Sequence, residues 1–240
     1  MIKICLDAGH FGKYNQSAVV PAYYESEMNW KLHLFLKAEL LDYGFSVVST
    51  RTEQEKDLDL VARGRIAKDC DLLLSLHSNG AEREDADHVV IFCQVEDART
   101  DIDEKSLALA NALAPVVSAV MEVSEKDYRI VQVRSEKDRD GDGVKNDNYY
   151  GILHGARTVN VPALIVEHSF HTNRRTAEWL LREENLKKLA EAEAKTIADF
   201  YGMKKRLYRV QVGAYTKKDN AEKMRQRLLA AGYDAIIKQD

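Results

Sequence analysis

What constrains this chain most is the alternation of short apolar runs with stretches of helical period. Five brief segments bounded by polar or turn residues, at 2–6, 45–50, 71–76, 89–93 and 163–166, read as buried strands. Amphipathic patterns lie between them. Met28, Leu32, Phe35, Leu36 and Leu40 fall on one stripe of a helix predicted over 28–43, and Gly44 supplies its C-terminal stop. A second helix is predicted over 106–120, and a long helical pattern fills 174–201 before Gly202. Strands alternating with helices imply an α/β fold, a largely parallel central sheet with helices on both faces. Functional residues in such sheets collect beyond the carboxyl ends of the strands.

After a basic joint, Met203-Lys204-Lys205-Arg206, the pattern restarts. A strand-like run at 208–215, a helix at 220–231 and the apolar run 231–238 together predict a short C-terminal β-α-β segment. The expected division is a main domain over 1–203 and a small segment over 204–240. The full 240 residues suffice for one well-buried domain with something small beside it. The portion from Tyr208 onward falls below the roughly 40 residues under which staples or partners are usually needed for folding.

Composition removes several classes of function. With 45% hydrophobic and 31% charged residues the chain resembles neither disordered nor membrane proteins. A net charge of -4, with no local basic patch, argues against a nucleic-acid partner. No stretch is long enough to span a bilayer, so membrane insertion is not expected. The opening MIKICLDAGH lacks the apolar core of a signal peptide. Cys5, Cys70 and Cys93 are irregularly spaced in or beside apolar runs. Both observations suit synthesis in the cytoplasm, with free thiols.

Histidine falls just past two predicted strands, in LDAGH (His10) and LLLSLHSNG (His77), and Glu25 stands just before the helix beginning near Met28. Two imidazoles and a carboxylate at one rim of the sheet, with one position left open, would make a catalytic zinc ligand set. Glu167, at the end of PALIVEHSFHTN, could take a proton from water activated by such a metal. Each residue alone is weak evidence. A lone histidine after a strand is more often a hydrogen-bonded core or surface group, and Glu25 with Glu27 also suits the positive end of a helix.

The order of motifs decides between these readings. LDAGHFG, Glu25-Ser26-Glu27-Met28-Asn29, Thr50-Arg51 with the later Arg63, Ser75-Leu76-His77-Ser78-Asn79 and Pro162-Ala163-Leu164-Ile165-Val166-Glu167 follow one another along the chain. In that order, residues 2 to about 200 resemble the N-acetylmuramoyl-L-alanine amidase family, Amidase_3, which includes bacterial cell-wall hydrolases and phage endolysins. Phe11 stands where that family has glycine, and Lys68 where it often has asparagine. The resemblance implies that His10, Glu25 and His77 bind Zn2+ and that Glu167 is catalytic. It implies hydrolysis of the amide joining N-acetylmuramic acid to L-alanine in peptidoglycan, at the bacterial cell wall. Glu167 would deprotonate the attacking water and return the proton to the leaving nitrogen.

Two other readings are a catalytically silent peptidoglycan-binding protein and a zinc exopeptidase on free peptides. The first would be expected to lose a ligand or Glu167, and none is lost. His168 and His171 flank Glu167, but strand alternation sends neighbours to opposite faces. Arg51 and Arg63 suit buried ion pairs better than substrate contacts. Asp138 to Gly143 resembles the start of a calcium loop, with Asn146 at its ninth position, yet Tyr149 stands where such a loop needs glutamate. The tail from Tyr208 resembles the first half of a SPOR domain, a module that binds bare glycan strands. Two such halves could pair, making a homodimer through the C-terminal segment.

Overall fold

The five expected strands and one more join a single sheet. The computed structural model describes residues 1–94, 101–123, 127–139, 141, 143–145, 147–206 and 210–239. Its strands are β1 (Lys3–Ala8), β2 (Ser46–Ser49), β3 (Leu72–Asn79), β4 (Val90–Cys93), β5 (Arg129–Gln132) and β6 (Ala163–Phe170), in the order β2-β1-β3-β6-β4-β5. The sheet is parallel throughout except where β4 runs antiparallel to β6. The expected α/β class is therefore the observed one. β5 escapes a reading of apolar runs because its ends, Arg129 and Gln132, are exposed at the sheet edge.

The portion up to residue 205 also carries α1 (Glu25–Asp42), α2 (Leu60–Arg65), α3 (Asp101–Met121), α4 (Gly151–Arg157), α5 (Arg174–Leu180) and α6 (Glu183–Phe200). The long pattern at 174–201 is two helices. The carbonyl of Trp179, near the end of α5, accepts from Asn185 Nδ2 at 2.9 Å, so the first turn of α6 closes the break.

Strand alternation sorts side chains onto two faces. Leu72, Leu74 and Leu76 of β3 join Leu164 and Val166 of β6 in a core with Leu32 and Leu36 of α1, Leu113 of α3 and Leu189 of α6. Each fully buried leucine contributes roughly 1.5–3 kcal/mol. Leu73 and Ile165 face the other way, into a smaller core with Ile152, Leu153 and Ala156 of α4. By the same alternation Ser75, His77 and Glu167 leave the sheet on this second face, at its carboxyl edge.

The chain divides into two compact units, Met1–Lys205 and Arg206–Asp240. In the second, α7 (Lys218–Ala230) forms where a helix is expected. Its expected flanking strands are not formed among the described residues, and Tyr208 and Arg209 lie outside them. A strand needs a partner for its N–H and C=O groups, and one β-α-β unit of this size leaves them facing water. Val210, Val212 and Ile236 are correspondingly exposed. In the first unit, Asp140, Asp142 and Asn146 of the suspected calcium loop also lie outside the described residues. Asp138 turns its carboxylate onto the N–H groups of Gly141 and Gly143, at 2.7 and 2.9 Å. No described helix is long and apolar enough to cross a membrane.

Candidate active site

The site begins with a buried acid. Asp7, near the end of β1, accepts hydrogen bonds from Thr50 Oγ1 at 2.5 Å and Ser75 Oγ at 2.6 Å, with Arg63 Nε 3.6 Å away. One carboxylate thus ties the ends of β1 and β2 to the middle of β3 and to the helix α2. Arg51 donates to the Ala8 carbonyl from Nε at 3.1 Å and Nη2 at 2.8 Å, and to the Gln54 carbonyl from Nη1 at 2.5 Å. Both arginines are buried braces. They hold the edge on which the reactive side chains stand.

Past this brace the backbone turns sharply, and His10 takes a left-handed conformation at φ 60. Its Nε2 lies 3.1 Å from Glu25 Oε2. The preceding Gly9 leaves room for a second ring, since a Cβ there would stand 2.2 Å from Cε1 of His77. His77 Nδ1 meets Glu25 Oε1 at 2.9 Å, so one carboxylate bridges two imidazoles. Donor atoms of His10, Glu25 and His77 all lie within 4.8 Å of one another.

Glu25 is the first residue of α1 and is buried, with the positive end of the helix behind it. Ser78 N–H donates to its Oε1 at 3.0 Å, Asn29 Nδ2 lies 3.4 Å from the same oxygen, and Asn15 Nδ2 donates to Oε2. Burial alone would raise its pKa. The hydrogen bonds from His10 and His77 outweigh that and hold it well below the usual carboxylate range. Burial likewise works against charge on His77, but Glu25 raises its pKa to about 9. Each group thus favours the charged form of the other.

Glu167 is paired with His77 across β3 and β6. Burial pushes its carboxyl up to about 7, against the pull of His77. Its Oε2 is buried and has no hydrogen-bond partner among the described residues. A polar atom in that condition usually awaits a water, an ion or a substrate group. Nearby Tyr150, packed on Phe92 with ring centroids 4.7 Å apart, has its phenol pushed to about 12 by burial and then by the charge of Glu167.

His168 does not join this face. His168 points into the larger core, with Nδ1 2.8 Å from the His77 carbonyl and Nε2 3.0 Å from Glu193 of α6. His171 stacks on Tyr23 and meets Ser78 Oγ at 3.0 Å, while Tyr23 Oη meets the same hydroxyl at 2.7 Å. Sequence reasoning missed Gly9, Asn15, Ser78 and Glu193. Gly9 was legible within DAGH as a close-approach glycine. The others become visible only when distant segments meet. Phe11 continues a ring series in which Tyr14 stacks on His10 at 5.0 Å and Phe11 on Tyr14 at 6.0 Å.

A profile of the N-acetylmuramoyl-L-alanine amidase family, Amidase_3, matches residues 4–199. The chain belongs to this family. It is therefore an N-acetylmuramoyl-L-alanine amidase, a hydrolase acting on cell-wall peptidoglycan. A SPOR domain profile matches residues 204–240 of the amidase. Among similar proteins, N-acetylmuramoyl-L-alanine amidase CwlM of Bacillus licheniformis is 26% identical over 244 residues, covering 99% of this chain and 85% of its own length. The sporulation-specific N-acetylmuramoyl-L-alanine amidase of Bacillus subtilis strain 168 is 24% identical, covering 99% of this chain and 84% of its own length. The catalytic domain of CwlV from Bacillus (Paenibacillus) polymyxa var. colistinus superposes with a TM-score of 0.67 at 19% identity, over 85% of this chain and 100% of that one. An N-acetylmuramoyl-L-alanine amidase from Clostridium difficile 630 gives 0.67 at 20% identity, over 84% and 97%. At such identities the structural likeness speaks to the fold.

Proposed function

We propose that this amidase depends on zinc, that His10, Glu25 and His77 are the metal ligands, and that Glu167 is the catalytic residue. The bond cut is the amide between N-acetylmuramic acid and L-alanine, in wall remodelling or lysis, a phage endolysin being one such setting. The observation that carries this reading is the convergence of three donors within 4.8 Å of one another, beside a buried carboxylate on the next strand. Two imidazoles and one carboxylate, with a fourth position open, suit catalytic zinc. The cradle at Gly9 supports the fit, because any side chain there would evict the His77 ring.

Zinc, when bound, polarises a carbonyl oxygen and brings the pKa of water to roughly 7. The chain's own residues do the rest. The unpartnered Oε2 of Glu167 can accept a proton from the attacking water, and the same group can deliver it to the departing L-alanine nitrogen. A carboxyl raised to about 7 by burial suits both steps near neutrality. Ser78 N–H and Asn29 keep Glu25 turned toward the two imidazoles.

We assign catalysis to residues 1–203 and wall binding to 204–240, with two copies of the latter pairing into one sheet. The catalytic reading is tested at Glu167. Glu167→Gln should keep zinc and fold while losing roughly two or more orders of magnitude in turnover. Loss of the metal together with activity would make Glu167 a ligand instead.

A further inference from the structure

Glu193 and His168 form an ion-pair contact at 3.0 Å in the middle of the larger core, both side chains 0% exposed. Around Glu193, α6 presents Leu186, Leu189, Ala190, Ala194 and Ile197 to that core. A buried pair of this kind is rarely the most stable choice, since well-packed apolar residues of similar volume often do as well or better. Its other contact gives it a use.

His168 Nδ1 lies 2.8 Å from the carbonyl oxygen of His77, next to the point where the β3–β6 register slips and Ser169 adopts φ 56. A carbonyl can only accept, so Nδ1 carries a proton, and Glu193 on the opposite nitrogen fixes that state and the ring's direction. The carbonyl of His77 and the N–H of Ser78 belong to one peptide group. That N–H donates to Glu25 Oε1 at 3.0 Å, and the same oxygen meets His77 Nδ1 at 2.9 Å. One peptide group is therefore held at both its ends, the carbonyl by His168 and the N–H by Glu25.

We propose that His168, oriented by Glu193, is a positioning residue for the metal centre: it fixes the His77–Ser78 peptide whose N–H holds Glu25 in place. A donor on the carbonyl also polarises the amide, strengthening the N–H bond to Glu25. The inference rests on His10, Glu25 and His77 being the metal ligands. Outer partners of ligands typically change metal affinity by about 10- to 100-fold when removed.

The test compares the parent with His168→Leu/Glu193→Leu and with His168→Asn/Glu193→Leu, in the full chain. The doubly apolar variant should unfold, metal-free, at the parent's temperature or above it. Its zinc affinity, measured against a chromophoric chelator, should fall by about 10-fold or more, and its cobalt-substituted visible spectrum should change. Asparagine places an amide donor near the position of Nδ1, so the second variant should recover most of the affinity and the parent spectrum. Parent-like affinity and spectrum in the doubly apolar variant overturn the proposal, as does failure of asparagine to restore either. Should the doubly apolar variant not fold, His168→Met/Glu193→Met, whose unbranched side chains fill the same space without any donor, serves in its place, and parent-like affinity and spectrum there overturn it equally. A parent chain that binds no zinc would instead overturn the ligand assignment on which the proposal rests.

Discussion

His77 and Glu167 are register partners in adjacent parallel strands, so their side chains leave the same face of the sheet side by side. The separation of the proposed metal-binding imidazole from the proposed proton-transfer carboxylate is thereby set by strand spacing, about 4.8 Å between backbones. Helix α1 then brings Glu25 to the same imidazole. His77 and Glu167 thus stand on the two central strands of the sheet.

His10→Ala, Glu25→Ala and His77→Ala should each abolish tight zinc binding, because three protein ligands reduced to two lose most of their affinity. Metal analysis after dialysis against a weak chelator reads the outcome. Near-stoichiometric zinc in all three variants would sink the ligand assignment.

Gly9→Ala tests the cradle. Its new methyl group would stand 2.2 Å from the His77 ring, a distance that forces the ring out of place. Zinc affinity should fall by roughly tenfold or more, with His10 and Glu25 untouched. Parent-like affinity would mean that the ring position is not what holds the metal.

Glu167 also has a signature in the metal-free protein. Folding raises its carboxyl from an ordinary 4.5 to about 7. A group raised in this way contributes its full stability below the lower value and loses it as pH rises through the upper one. Between about pH 4 and about pH 8, the unfolding free energy of Glu167→Gln should therefore gain on the parent by up to about 3 kcal/mol, at roughly 1.4 kcal/mol per tenfold change in acidity constant. Denaturant titrations with chelator present decide it, and a difference independent of pH contradicts the burial argument.

Much of this is legible in the sequence. Periodicity gave the sheet because its central strands are continuous apolar runs, and LDAGH, Glu25 and His77 stood at strand or helix ends, where an α/β sheet gathers its chemistry. Glu193 was hidden because it reads as one more charge in a helix rich in glutamate. Only its position on the buried stripe, opposite His168, distinguishes it. β4 was read as a strand, but its antiparallel direction depends on connections that periodicity does not encode. The tail shows the reverse failure: its apolar runs have strand character, yet without partners only α7 is formed among the described residues.

Removing residues 204–240 should leave turnover on small soluble muropeptides nearly unchanged while weakening retention on intact walls. If two tails complete one sheet, light scattering should show a dimer for the full chain and a monomer for the shortened one. Equal masses rule the dimer out, and equal wall retention removes the binding role of the tail.

The most direct test of the whole account is mass analysis of the products from defined peptidoglycan treated with the zinc-reconstituted chain, beside its Glu167→Gln variant. The account predicts free stem peptides bearing an N-terminal L-alanine, glycan strands with unsubstituted lactyl carboxylates, and at least a hundredfold less of both from the variant. Cleavage within the glycan or within the stem peptide, or equal product from the two proteins, would contradict it.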